Sequence, residues 1–220
     1  MIQVRNTMVR FITFEGGDGT GKSTQVKALE RYLAARGRSF VSTREPGGTP
    51  LGNLIRQALL EVGDQPIGSP TELFLYLADR AQHVRDVILP ALESGKIVLC
   101  DRYTDSTLAY QGYGRGIDLK VLPELNRIAD HGVKPDLTIL FDCPVEIGLS
   151  RIARRLAEHD VGTGRKDRFD SEKADFHEKV RAGFLALARA EPDRFRIIDA
   201  ARSVVEVTQE IKSLIDRELA

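Results

Sequence analysis

The sequence predicts an α/β protein built on a doubly wound sheet of five parallel strands with helices on both faces. Three observations carry that expectation. Short apolar or β-branched runs alternate five times with longer segments of helical period. Two of these runs, Lys96–Cys100 and Leu137–Phe141, are apolar almost throughout, as strands covered on both faces require. Between the first run and the first helix, Gly16–Thr24 (GGDGTGKST) fits G-x-x-x-x-G-K-[ST], a phosphate-binding loop in its proper strand–helix context. The chain has 220 residues, enough for one domain with a full core, expected over 9–220 behind a short extension at 1–8.

The first strand is expected at Arg10–Phe14, and the helix after the loop runs to about Arg36, where Gly37 supplies a stop. Ser39–Thr43 reads as the second strand. Arg44–Pro50 (REPGGTP) is a rigid turn segment, with prolines fixing φ and paired glycines admitting close backbone approach. Leu51–Val62 has helical apolar spacing, and Gly63–Ser69 is a loop. A long helix follows over Pro70–Glu93, with Ser69 as N-cap, Pro70 in the first turn and Gly95 near its end. After the Lys96–Cys100 strand come a helix at Leu119–Ala129 and the Leu137–Phe141 strand. A helix at Val145–Ala157, a polar loop at His159–Arg168 and a helix at Ser171–Ala190 lead to strand Arg194–Ile198 and the closing helix Val204–Leu219.

Lys plus Arg and Asp plus Glu stand at 32 each, so no net charge advertises nucleic acid or a membrane surface. No apolar run approaches a transmembrane length, and MIQVRNTMVR lacks the apolar segment of a secretory signal. Cys100 and Cys143 have no metal-ligand spacing and read as small core residues of a reduced compartment. A cytoplasmic enzyme is the expectation.

The loop glycines let backbone N–H groups converge on phosphate oxygens, and the helix N-terminus behind them adds a positive dipole end. Gly16, Gly17, Asp18, Gly19, Thr20, Gly21, Lys22, Ser23 and Thr24 are therefore expected to hold a nucleoside triphosphate. Lys22 reaches its outer phosphates, and the Ser23 hydroxyl is suited to Mg²⁺. In an open parallel sheet ligands bind beyond the carboxyl ends of strands, and two further polar clusters fall there. Asp101-Arg102 after the third strand suits a metal or its waters at Asp101 and a bidentate phosphate clamp at Arg102; an Asp–Arg pair capping the strand is the plainer alternative. Thr43–Thr49 is either a surface turn or part of a site. Tyr76 and Arg80, four apart, share a helix face with Phe74 nearby, and read equally as a base-binding pair or as core aromatic plus solvated arginine. The basic stretch Arg151–Arg168 suits a lid that closes over phosphates, although part of it is ordinary solvated helix end.

Taken in order, FEGGDGTGKST, TREPGGTPLGNLIR, FLYLADRAQH, DRYTDSTLAYQGYGRG and DRFDSEKADFHEKV resemble the bacterial thymidylate kinase family, from Phe14 to about Val180. The resemblance implies a nucleoside monophosphate kinase-like fold with a lid near 151–170. It implies transfer of the ATP γ-phosphate to dTMP with Mg²⁺, and a homodimer. It implies that Lys22 and the loop amides hold ATP, that Ser23 and Asp101 serve the metal, and that Asp18 reaches the sugar or acceptor side. Arg102 then takes the dTMP phosphate, Tyr76, with Phe74, stacks on thymine, and Arg80 donates to its O4. Thr107 and Gln111 face the base edge, Tyr110 lies under the deoxyribose, and Glu45 and Arg56 border the acceptor. Because Gly17–Thr20 contains no arginine, the sequence resembles members whose lid supplies the transfer arginine. EHDVGTG lengthens that lid, and Arg151 and Arg165 lead the candidates, ahead of Arg155 and Arg168. A kinase of another acceptor is the nearest rival. A nucleotide-gated switch is a more distant one, and the chain has no N-K-x-D guanine motif.

Overall fold

The computed structural model describes residues 9–60, 66–158, 168–169 and 172–219. The expected extension at 1–8, the helix end at Val62 with the loop from Gly63, the lid from His159 to Asp167 including Arg165, and the helix start at Ser171 all lie outside the described residues.

Five strands, β1 (Phe11–Glu15), β2 (Phe40–Arg44), β3 (Ile97–Asp101), β4 (Leu137–Asp142) and β5 (Phe195–Asp199), form one sheet in the order β2-β3-β1-β4-β5. Every pairing is parallel. The chain thus leaves β1 toward one edge and later returns to the other, placing the topological switch point beside β1. All five strands extend past their expected apolar ends, by one residue each. The reason is in the register: Phe14 pairs with Asp101, Arg44 with Asp101 and Asp142 with Asp199. These charged residues keep ladder positions while their side chains belong to the sheet's carboxyl edge, a distinction that apolar patterning does not report.

Alternation along the strands splits the core. Ile12 and Phe14 of β1 and Leu99 of β3 face α1 (Lys22–Ala35) and α9 (Val204–Glu218), meeting Leu29, Leu33, Ile211 and Leu214. Phe11, Val98 and Cys100 face the other way onto Val84, Ile88 and Tyr103. Leu140 and Phe195 meet Phe176, Val180 and Phe184 of α8 (Ala174–Ala190). Cys100 and Cys143 are buried free thiols.

The expected long helix is α3 (Ser69–His83), a π-helical turn at Val84–Ile88, and α4 (Leu89–Glu93). Pro90 explains the widened turn: it brings no N–H to the ladder, and its ring crowds the carbonyl four residues back. Its N-cap is Gly68 rather than Ser69. The expected helix at Leu119 begins later, as α6 (Leu122–Ala129), with Pro123 in its first turn. Between β3 and α6, α5 (Thr104–Thr107) continues into a π-helix over Leu108–Gly114. The wider π turn carries Tyr110 and Gln111, both buried, toward the carboxyl edge. The remaining helices among the described residues are α2 (Pro50–Leu60) and α7 (Val145–Glu158).

Candidate active site

The carboxyl edge encloses a cavity of about 800 Å³ whose wall runs from the phosphate loop (Asp18–Thr24) through Glu45, Tyr76 and Arg102 to Gln111. The loop is shaped by backbone demands. Gly16 sits at φ +135, where a Cβ would lie 2.4 Å from the Phe141 carbonyl oxygen. Gly19, at φ +73, would place one 2.1 Å from the carbonyl oxygen of Gly148 on α7. The contact is mutual, since a Cβ on Gly148 would stand 2.6 Å from the Asp18 carbonyl oxygen. Gly148→Ala is therefore expected to push the loop off α7, costing about 1–3 kcal/mol and several degrees in thermal unfolding, with weakened nucleotide binding. A differential scanning calorimetry trace superimposable on the parent's would contradict this.

Lys22 is buried beneath the loop, its Nζ donating to the carbonyls of Gly16 (2.9 Å) and Gly17 (2.7 Å) and, longer, to Thr20 Oγ1 (3.4 Å). Burial, and then the Arg102 charge, pull its ammonium down to about 8. Gly16 and Gly17 line a small crevice behind the loop rather than the main cavity. Ser23 Oγ donates to Asp101 Oδ2 at 3.3 Å, while Asp101 Oδ1 is buried without a hydrogen-bond partner.

Arg102 joins the loop to the far wall. Its backbone is in the left-handed region (φ 70), a conformation that needs strong anchoring in a residue other than glycine. The anchors are visible. Nη2 donates to Asp18 Oδ1 at 2.6 Å, Nη1 donates to the Gly16 carbonyl and Ser106 Oγ, and the guanidinium lies over the Tyr110 ring. The Tyr110 hydroxyl donates to the other Asp18 oxygen at 2.7 Å. Burial pushes the Asp18 carboxyl up, but Arg102, Lys22 and the tyrosine hydroxyl outweigh it and hold it below the usual range.

The distal wall is a second buried network. Arg80, 1% exposed, donates through Nε to Glu45 Oε2 (2.9 Å) and through Nη1 to Thr107 Oγ1 (2.9 Å) and Asn126 Oδ1 (2.6 Å). His83 completes Glu45, with Nδ1 3.0 Å from Oε1, and its other nitrogen meets Thr43 Oγ1. Asp79 accepts from the Gly47 amide, so α3 holds the Thr43–Thr49 segment from inside, and the surface-turn alternative falls. Burial, then the nearby Glu45 charge, push the Asp79 carboxyl up to about 7. The solvated alternative for Arg80 falls with its burial.

Tyr76 borders the cavity beside Phe169, and Arg56 borders it while donating to the Pro46 carbonyl. Phe74 does not join them. It is 61% exposed, because two residues along a helix turn a side chain about 200° from Tyr76. Among the lid candidates, Arg151 and Arg155 line the cavity near Ala200–Ser203, with Arg151 Nη1 on the Ala200 carbonyl. Arg168 lies off the cavity wall, donating to Glu72 and to the Leu59 carbonyl.

Several contributors carry no separate mark in the sequence. Glu15, fully buried at the end of β1, accepts from the amides of Tyr103 and Ser106 and shapes the turn that presents Arg102. Burial, then the Asp105 charge, raise its carboxyl to about 8. A lone acid closing an apolar run was the available signal. Arg202 and Ser203 border the cavity beyond β5, where the carboxyl-edge rule would have found them. His83 and Asn126 were hidden in helical periodicity.

Residues 14–211 match the family model described as thymidylate kinase. The chain is 54% identical to a thymidylate kinase of Desulfovibrio desulfuricans over 95% of this chain and 96% of that one. It is 51% identical to one of Solidesulfovibrio magneticus, over 95% and 100% respectively. The crystal structure of thymidylate kinase from Ehrlichia chaffeensis superposes with a TM-score of 0.73 at 34% identity, covering 96% of this chain and 99% of that one. A family model matched over most of the chain and relatives about half identical along nearly their whole length leave one conclusion: the chain belongs to the thymidylate kinase family.

Proposed function

We propose that the protein phosphorylates dTMP to dTDP with the γ-phosphate of ATP. The observation that carries this reading is the Asp18–Arg102–Tyr110 bridge, which joins the donor loop to the helical segment that also carries Thr107 of the Glu45–Arg80 network, all of them lining one cavity. ATP lies with its phosphates on the Gly16–Thr24 loop. Lys22 exchanges its carbonyl partners for outer phosphate oxygens, and Arg151 and Arg155 approach from the Ala200–Ser203 side. dTMP lies across the bridge, its phosphate on Arg102, its deoxyribose over Tyr110 and Asp18, and its thymine between Tyr76 and the Arg80, Thr107 and Gln111 edge. Glu45 and Arg56 close the acceptor end.

The acceptor is already an anionic phosphate, so no strong base is required; transfer asks for alignment and shared charge. Arg102 holds the attacking phosphate. Lys22 and a lid arginine, Arg151 or Arg165, balance charge on the moving phosphoryl group. Among the described residues no cluster of three or more His, Cys, Asp or Glu side chains could hold a metal. The orphaned Asp101 Oδ1 beside Ser23 fits a Mg²⁺, which these two side chains would hold, directly or through water. Bound there, the ion would neutralise phosphate charge.

A homodimer is supported by apolar side chains left in solvent on neighbouring helices: Leu54 of α2 at 65%, Phe74 of α3 at 61% and Ile128 of α6 at 63%. The outward turn of Phe74 fits that role. No described helix is long and apolar enough to cross a membrane, and the buried free cysteines accord with a cytoplasmic setting. Coupled ADP release with dTMP, dUMP, dCMP, dGMP and AMP as acceptors tests the reading. dTMP is expected to be preferred, preference for dCMP or AMP overturns the acceptor, and hydrolysis unstimulated by any acceptor favours a nucleotide-gated switch.

A further inference from the structure

Glu72 of α3 is fully buried yet absent from the cavity wall, and it gathers donors from three directions. Arg115 donates through Nε (3.3 Å) and Nη2 (3.2 Å), Arg168 through Nη2 (2.5 Å), and Gln111 through its side-chain Nε2 (2.8 Å). A carboxylate held by two guanidinium groups offers only acceptors, so the Gln111 amide must turn its NH₂ toward Glu72. Its carbonyl oxygen is then the group left for the cavity, which Gln111 lines. We propose that Glu72 is a positioning residue that fixes the polarity of Gln111, so that this side chain meets the base as an acceptor and selects a thymine or uracil edge over cytosine.

The inference rests on the dTMP reading above and adds the device that sets its base choice. Thymine and uracil present a donor at N3–H beside an acceptor at O4; cytosine presents an acceptor at N3 beside a donor at the 4-amino group. Arg80 can only donate, and its Nε and Nη1 are held by Glu45, Thr107 and Asn126. A locked Gln111 acceptor beside it completes a donor–acceptor pair matching thymine and opposing cytosine at both positions. An amide free to rotate would match either base at N3.

The test compares kcat/KM for dTMP, dUMP and dCMP in the parent and in Glu72→Gln. The variant amide can donate as well as accept, which frees Gln111 to turn over. The expected result is a fall of about 10-fold or more in the dTMP-to-dCMP ratio, with the dTMP-to-dUMP ratio unchanged, because the 5-methyl group is not read by Gln111. Arg115→Gln loosens the same cluster but keeps the Gln111–Glu72 bond, and should leave both ratios within about 2-fold. An unchanged dTMP-to-dCMP ratio in Glu72→Gln, or an equal change in Arg115→Gln, overturns the proposal. Should Glu72→Gln fail to fold, the parent decides: its Gln111 side-chain NH₂ protons should exchange slowly with solvent both in the free protein and in the dTMP complex, as a bond to Glu72 kept throughout requires. Rapid exchange in either state overturns the proposal too. The underlying reading fails separately, in the parent alone, if dTMP is not favoured over dCMP.

Discussion

Lys22→Ala is expected to lower kcat by about 100-fold or more, on the order of 3 kcal/mol of transition-state stabilisation, with a much smaller effect on the KM for dTMP. The ammonium is held under the loop by the Gly16 and Gly17 carbonyls, so it is already at the phosphate site when it exchanges them for phosphate oxygens. Near-normal turnover in stopped-flow or coupled assays would remove Lys22 from the chemistry. The same side chain gives a pH signature. Burial and Arg102 lower it to about 8 in the free protein, so part of the population is neutral at pH 8. Phosphate oxygens favour the charged form and raise that value, so triphosphate binding takes up a proton, about half of one per site at pH 8. Nucleotide affinity should therefore be greatest below pH 8 and weaken as pH rises through it. Calorimetry in buffers of different ionisation enthalpy reads this uptake directly, and Lys22→Ala should abolish it.

What the sequence disclosed, and what it withheld, divides along a physical line. Phosphate binding needs a fixed backbone path, so Gly16, Gly21, Lys22 and Ser23 stand at fixed spacing and can be read locally. The strands could be read because two-sided burial forces apolar runs. The second network could be read only in part, and only through the family resemblance that named Glu45, Arg80 and Thr107, since Glu45, Asp79, Arg80, His83 and Asn126 meet only after α3 is packed between the β2 turn and α6. As letters on a helix, Asp79 and Arg80 look like solvated charge; at 0% and 1% exposure, they are the reverse. Glu72 misleads in the same way, sitting in the first turn of α3 where an acid also serves the helix dipole. Phe74 shows the opposite error. Proximity in sequence to Tyr76 suggested a shared role, and helix geometry separates the two. The π-helix at Leu108–Gly114 had no apolar signature because its inward residues are chosen for the cavity.

Arg80→Met is expected to damage folding and recognition together, and the two can be separated. Arg80 is held by Glu45, Thr107 and Asn126 and lies over the Tyr103 ring. Removing it leaves the Glu45 carboxylate, 3% exposed, with His83 as its side-chain partner. Deleting one member of a buried ion pair costs about 3–5 kcal/mol, because the survivor keeps its desolvation penalty; for a chain of this length that lowers Tm by roughly 10 °C. Recognition should suffer through the lost donor at thymine O4, reducing kcat/KM for dTMP by about 10- to 100-fold. Adding Glu45→Gln removes the stranded charge, so the double variant should recover at least about 1 kcal/mol of stability relative to additivity. It should recover none of the lost base recognition, because glutamine at 45 restores no donor to the position Arg80 vacated. Additive stabilities would mean that Glu45 and Arg80 do not form the coupled buried pair drawn here. Recovery of dTMP turnover in the double variant would mean that Arg80 serves the fold and does not touch the base.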